Sequence, residues 1–381
     1  MRAGGGRVGH GGWMRALGLL LLMGASCGGR PAPTSAVPPA PLADAPASSL
    51  APPAAPAREQ ALVIDAEVVF TGACDASGAV ELDAGHFLVA DDEDNVLRVY
   101  DAVRGGPPVA AFDVSTALGL TPVGKRTPRM PELDLEAATR IGDRAYWMTS
   151  HGRNSKGKAR PERLRLFATT LPTLPTLPTL PTAPADPPHA GVAVLASTDR
   201  LLDALITDPR LARFELAAAA TRAPKADGGL NLEGMTAGPD GALVLGFRSP
   251  VPDGRALLVR LDRPDEFLAG GAAALGPPVQ LELGGHGVRG ITWWRGRYVL
   301  VAGPADTGGP ARLFAWDGHG AAVPWSVDLA GYNPEGTFSP DGEPRLLLLS
   351  DDGTAPIDGV ACKDSPDPAA RRFRGVWLRP R

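Results

Sequence analysis

The residues best able to do chemistry recur at one repeated place. Three openings, Asp134-Leu-Glu136-Ala, Asn231-Leu-Glu233-Gly and Asn333-Pro-Glu335-Gly, set a glutamate two residues after an Asp or Asn and just before a small residue. Asp75-Ala-Ser77-Gly and Gly287-Val-Arg289-Gly fall into the same register with other key residues. A spacing of two places both side chains on one face of a strand. At the starts of neighbouring strands, the two sets would surround a common opening. Three glutamates there repel one another, and burying them unpaired is costly. One compensation is a hard divalent cation, calcium above all, held by Glu136, Glu233 and Glu335 with Asn carbonyls and water. A second is a salt-bridge network with Arg289 and Arg248 and no metal. A third is hydrogen bonding from backbone amides of the next repeat. The sequence leaves all three open.

Other groups are expected close by, at the ends of the second strands: Asp91, Asp92, Glu93 and Asp94, then His151, Arg248, Asp351 and Asp352. A metal here would polarise an ester, lactone or phosphoester oxygen and acidify bound water, with His151 as general base. No H-x-x-x-H pair supplies a zinc site, and the sequence assigns no catalytic residue. Gly152–Lys158 fits G-x-x-x-x-G-K, yet Ala159 replaces the hydroxyl residue and no strand-to-helix context surrounds it, so a phosphate loop is rejected.

The openings begin units of about 45 residues, each carrying short strand-like runs between Gly, Pro and Asp turns. In Asn231–Leu261, NLEGM leads through a Pro-Asp-Gly turn into ALVLGF and back through ALLVRL. Such a unit has sheet edges on both sides and cannot bury both faces alone, so copies must pack on one another. Five four-stranded units are legible from Asp75 onward, and the gap before Asn231 has room for a sixth. The last unit ends one strand short, while Ala61–Phe70 (ALVIDAEVVF) stands unpaired before the first. The reading is an all-β propeller over 59–381, its ring closed by the N-terminal strand pairing with the last blade. Two insertions interrupt it: a Pro-rich stretch at 171–188 with a repeated Leu-Pro-Thr, and a helical one at 200–220. In a closed ring Cys74 and Cys362 become neighbours able to form a disulfide.

Composition narrows the class. The 381 residues are 44% hydrophobic, enough for a sizeable core, and the formal charge of −4 argues against a nucleic-acid partner. Three cysteines are too few for a disulfide scaffold. At the start, Arg2, Arg7 and Arg15 precede the apolar run Leu17–Met23 and the small residues before Cys27. That run is shorter than the roughly 20 residues needed to span a bilayer and suits a signal peptide over 1–27. Residues 28–58 are Pro, Ala and Ser with few bulky apolar groups, the composition of a flexible tether.

Gly-Ala-Ser-Cys27 resembles a bacterial lipobox, with Gly24 where that pattern prefers Leu; lipidation of Cys27 would anchor the protein to a membrane. From Gly72 onward the chain resembles a bacterial domain-of-unknown-function family, number 3616. The likeness rests on DASGAVEL, FLVADDEDNVLRVYD, DLEAA, SHGRNSKGK, NLEGM, LVLGFRSP, RGITW and NPEGT. More distantly, the Glu-Gly openings are similar to those of phytase-like and esterase-like propellers, some of which bind calcium. The expectation is an exported monomer, a periplasmic or outer-membrane lipoprotein or else a secreted protein. It would bind a small molecule or protein at an acidic channel mouth, the alternative being a calcium-assisted hydrolase of an ester, lactone or phosphoester there.

Overall fold

The computed structural model describes residues 61–173, 191–305, 309–340 and 343–381. The expected export segment with Cys27, the tether and most of the Leu-Pro-Thr repeat lie outside these residues. Five antiparallel sheets follow one another along the chain. Blade 1 runs from the inside outward as Ala76–Asp83, His86–Asp91, Val96–Asp101 and Ala110–Asp113. Blade 2 is Leu135–Ile141, Arg144–Thr149, Leu166–Thr170 and Val194–Thr198. Blade 3 is Asn231–Ala237, Leu243–Ser249 and Ala256–Asp262, with an outer strand broken into Ala274–Leu275 and Val279–Leu281. Blade 4 is Gly287–Trp294, Arg297–Gly303, Arg312–Trp316 and Val323–Trp325. Blade 5 is Pro334–Phe338, Leu346–Ser350, Arg372–Pro380 and, outermost, Leu62–Thr71. Each innermost strand packs on the next and the fifth on the first, which closes a five-bladed β-propeller.

Burial follows this layering. Second strands are covered on both faces by the flanking blades, so they carry continuous apolar runs, as in Leu346–Leu349 and Leu243–Phe247, buried throughout. Outer strands keep one wet face and alternate, as Ala110–Asp113 does. No sixth sheet forms in the gap before Asn231. Helix Leu201–Thr207, a 3-10 turn at Ala212–Phe214 and helix Leu216–Ala219 stand there instead. Leu201, Leu205, Leu211, Phe214 and Leu216 pack with Tyr146 and Met148 of blade 2 and with Leu243 and Leu245 of blade 3. The helical insertion thus covers the junction of two blades.

The ends of the chain meet in blade 5. Leu62–Thr71 runs antiparallel to Arg372–Pro380, from Leu62 opposite Pro380 to Thr71 opposite Arg372. Phe70, fully buried, locks this seam: its ring lies 5.2 Å from Phe87 and 5.3 Å from Tyr100 of blade 1, and 4.9 Å from Phe373 of blade 5. Cys74 and Cys362 are disulfide-bonded, their Cα atoms 5.9 Å apart, and tie the entry of blade 1 to the loop before the last strand. Phe70→Ala should therefore lower unfolding free energy by about 3–5 kcal/mol in a denaturant titration. Val69→Ala, at a neighbouring side chain 42% exposed, should stay within about 0.5 kcal/mol of the parent.

Candidate functional site

The five key residues reach the axis through one local device. Ala76 pairs with Asp91 and Gly78 with Ala90, which leaves Ser77 with no residue opposite. Glu136, Glu233 and Arg289 are skipped in the same way in blades 2, 3 and 4, and the irregularity of blade 5 spans Glu335 and Gly336. A bulge of this kind turns the extra residue out of the alternating pattern. Repeated five times at one level, it presents a ring of polar side chains. The small residue that follows is imposed by crowding: a Cβ on Gly290 would lie 2.1 Å from the Glu335 carbonyl oxygen, and one on Gly78 2.7 Å from the Ala137 carbonyl carbon. The Glu-Gly openings are thus a bulge plus a close approach of inner strands.

The ring opens on one side into a cavity of about 550 Å³. On the other side Ala79, Ala138, Met235, Ile291 and Thr337 leave about 10 Å³ between them, no more than one water's room. The channel narrows sharply at the ring, and the mouth is a cup. Among the described residues nine carboxylates and five cationic side chains line it, so negative charge is in excess.

That excess is distributed unevenly. Around blades 3 to 5 the charges are matched. Arg248 Nη1 lies 2.5 Å from Glu233 Oε1, which also accepts from Asn231 Nδ2 at 2.6 Å. Arg289, almost fully buried, pairs with Glu335, donates to Asn333, and lies 3.6 Å from Glu233 Oε2 and 3.8 Å from Asp351 Oδ2. Burial lowers the pKa of Arg289 even against the field of Glu233. Ser77 donates weakly to Glu335 Oε2, at 3.4 Å.

Around blades 1 and 2 the charges are not matched. Asp134 is bound by Arg163, 2.7 Å away, which also pairs with Glu132. Glu136 is buried and has no hydrogen bond or ion pair among the described residues. Burial, then the charges of Glu233 and Asp134, hold its carboxyl well above the usual range. Asp92 is raised for the same reasons, by burial and then by Asp75 and Glu136. Asp75 is pushed up to about 9 by burial and then by Asp351, and Glu132 to about 7, burial outweighing Arg163. Carboxylate oxygens of Asp92, Asp134 and Glu136 all lie within 4.8 Å of one another, and so do those of Asp75, Asp92 and Glu93. Oxygen donors at such spacing fit a calcium-like ion.

The residues singled out in the sequence separate accordingly. Glu233 and Glu335 share Arg289, whereas Glu136 joins Asp134 and Asp92 in a triad of its own. Asn231 and Asn333 orient the glutamate and arginine of the ring, and Gly287 brings no side chain. His151 is buried, its Nδ1 donating to the Thr149 carbonyl at 2.7 Å, and burial lowers its pKa to about 4. It is not among the side chains lining the cup. Asp91 accepts from the amides of Cys74, Asp75 and Glu93, Asp94 pairs with Arg98, and Asp352 with Arg374, so these three carboxylates hold loops in place. Glu132, Arg163, Lys225 and Lys363 also line the cup and had no motif to mark them. A signal for Lys363 existed in retrospect: it follows Cys362, and Cys74 precedes Asp75. Trp293 and Trp294, consecutive in the inner strand of blade 4, face opposite ways, Trp294 packing on Trp325 in the core and Trp293 lining the opposite mouth beside Tyr298.

The fold and site together define a five-bladed β-propeller with an acidic mouth that narrows at the ring. Residues 158–327 match the model of the family described as Protein of unknown function (DUF3616), and the resemblance drawn from the motifs is borne out over that stretch. No curated protein matches the chain. Among solved structures, glutaminyl cyclase of Myxococcus xanthus is similar at 13% identity and a TM-score of 0.40, over 85% of this chain and 99% of that one. The PQQ-bound aldose sugar dehydrogenase of Streptomyces coelicolor is similar at 14% identity and a TM-score of 0.43, over 86% and 100%. Likenesses at that level say nothing about what this chain does.

The raised carboxyls set the sign of a pH effect. A carboxyl that holds its proton more tightly folded than unfolded contributes stability that is complete below its unfolded pKa and lost as pH rises through the folded one. With chelator present, the melting temperature should fall as pH rises from about 4, the ordinary carboxyl range, to about 9, the value for Asp75. Calorimetry on the chelated protein would show this, with a shallower slope for Asp75→Asn. A melting temperature that climbs over that interval would contradict the site's electrostatics.

Proposed function

We propose that this protein is a binding module that takes a small ligand into its acidic cup through a divalent cation, calcium fitting best. The observation that carries this is the triad Asp92, Asp134 and Glu136, with converging oxygens and, at Glu136, no counter-charge within bonding distance. Uncompensated carboxylates in a confined site favour either a proton or a metal ion, and an all-oxygen set favours a hard cation. Lys225, on the same cavity, has no carboxylate partner among the described residues. It adds positive charge to the cup beyond that of Arg248 and Arg289, which Glu233 and Glu335 already pair. The ligand class that suits both is a small anion whose carboxylate or phosphate oxygens complete the cation's coordination. The hydrolytic alternative lacks a comparable support, since His151, the base considered for it, is buried and aside from the cup.

The test is a thermal melt with calcium and with chelator. Calcium at 100 times its Kd should add about 2.7 kcal/mol of stability to the parent and none to Glu136→Gln. The same substitution should raise the melting point in chelator at pH 8, because a neutral amide replaces a repelled carboxylate. A parent indifferent to calcium would sink the proposal.

We also infer that the protein is exported and lipid-tethered. Support comes from the Arg-flanked apolar run before Cys27 and from the Cys74–Cys362 disulfide, which is at home in an oxidising compartment. Expressed in a Gram-negative host, the full chain should label with radioactive palmitate and sediment with membranes, and Cys27→Ala should do neither. Equal labelling of the two would count against the anchor.

A further inference from the structure

Asp92 belongs to both carboxylate triads. The second triad adds Asp75, which precedes the inner strand of blade 1, and Glu93, in the turn after its second strand. Asp75 is 4% exposed, and its Oδ2 has no hydrogen-bond partner. Its other oxygen packs so closely on Gly353 that an added Cβ there would lie 1.6 Å away. The space around Asp75 is therefore shaped for a carboxylate, with one oxygen that no donor among the described residues reaches and the Asp351 carboxyl beside it. A single cationic group pairs with this triad among the described residues: Lys363 Nζ, 2.6 Å from Glu93 Oε1. Two fixed points hold Lys363 there. It follows Cys362, which is bonded to Cys74 next to Asp75, and its amide donates to the Gly353 carbonyl at 3.1 Å.

We propose that Asp75, Asp92 and Glu93 form a second divalent-cation position, bridged to the first by Asp92, and that the Lys363 ammonium is a tethered counter-ion competing for it. This rests on the first triad being a cation site. A lysine is a strongly hydrated point charge on a flexible stem, and the Lys363 side chain is 38% exposed, so it can withdraw into solvent. The protein then has two states of the same mouth. In one, a single divalent ion sits on the first triad and Lys363 neutralises the second. In the other, two ions share Asp92 and Lys363 is released. Two ions bridged by a carboxylate clamp a shared anionic oxygen more strongly than one, so the second state is the one adapted to a phosphate- or carboxylate-bearing ligand.

Calcium titration calorimetry on the disulfide-intact full chain separates the possibilities. The parent should bind one equivalent tightly and a second at least about tenfold more weakly. Lys363→Gln should keep the first and tighten the second by about tenfold or more. Lys363→Gln combined with Asp75→Asn should return to one equivalent. Because Lys363 is partly exposed and at the rim, its replacement leaves the core intact, and a melting curve without calcium checks this. A Lys363→Gln isotherm identical to the parent's would overturn the inference while leaving the first site standing. A parent that binds nothing beside a Lys363→Gln variant that binds one ion would do the reverse, and no binding by either would end both.

Discussion

Electrostatic repulsion among side chains forced onto one axis is the constraint from which the rest of this mouth follows. Five bulges aim five residues at the same narrow space. Identical carboxylates at all five would not tolerate burial. The ring resolves this by varying the key residue. Arg289 in blade 4 stands between the glutamates of blades 3 and 5, Arg248 adds a second positive charge, and Ser77 in blade 1 brings none. What remains is Glu136, with no arginine of its own. The acidic half of the cup is thus the remainder of an incomplete neutralisation, and its position is set by where the arginines are.

Much of the fold was legible because propeller blades repeat. The recurring openings, the alternating or continuous apolar runs and the unpaired strand at the N-terminus each have a direct physical reading. The closure follows from those readings, and the blade count does so to within one. The stretch 200–220 showed its helical character in the sequence, but the absence of a sixth sheet there is a finding of the structure, in which Leu201, Leu205 and their neighbours pack over two blades. The level of the ring was legible too, since the small residue after Ser77, Glu136, Glu233, Arg289 and Glu335 marks where inner strands crowd. The bulge itself was not, because register is a property of two strands and neither announces the skip.

The partition of charges was harder to read. Sequence register makes Glu136, Glu233 and Glu335 equivalent, whereas space distinguishes them by the reach of a single arginine. Groups outside the inner strands were harder still. Arg163 is one of six Arg and Lys residues between Arg144–Thr149 and Leu166–Thr170, and nothing in their order marks it as the one that turns inward to Asp134. His151 belongs to the same stretch and is taken into the protein by packing that no local pattern specifies. Lys363 becomes a neighbour of Glu93 only through a bond between cysteines at opposite ends of the chain. Each of these depends on contacts distant in sequence, which is where periodicity stops being informative.

The seam through blade 5 carries a consequence for how the molecule is made. Its outermost strand is the first to be synthesised and its neighbour the last. Until the final residues are available, Leu62–Thr71 has no partner and Phe70 no enclosure. Blades 1 to 4 can collapse as they emerge, but the circle stays an arc with an uncovered apolar blade face at each end. Pairing elements this distant is the slow part of folding by topology. Assembly therefore waits for Arg372–Pro380, and products that lack it are left with apolar blade faces that the closed ring covers.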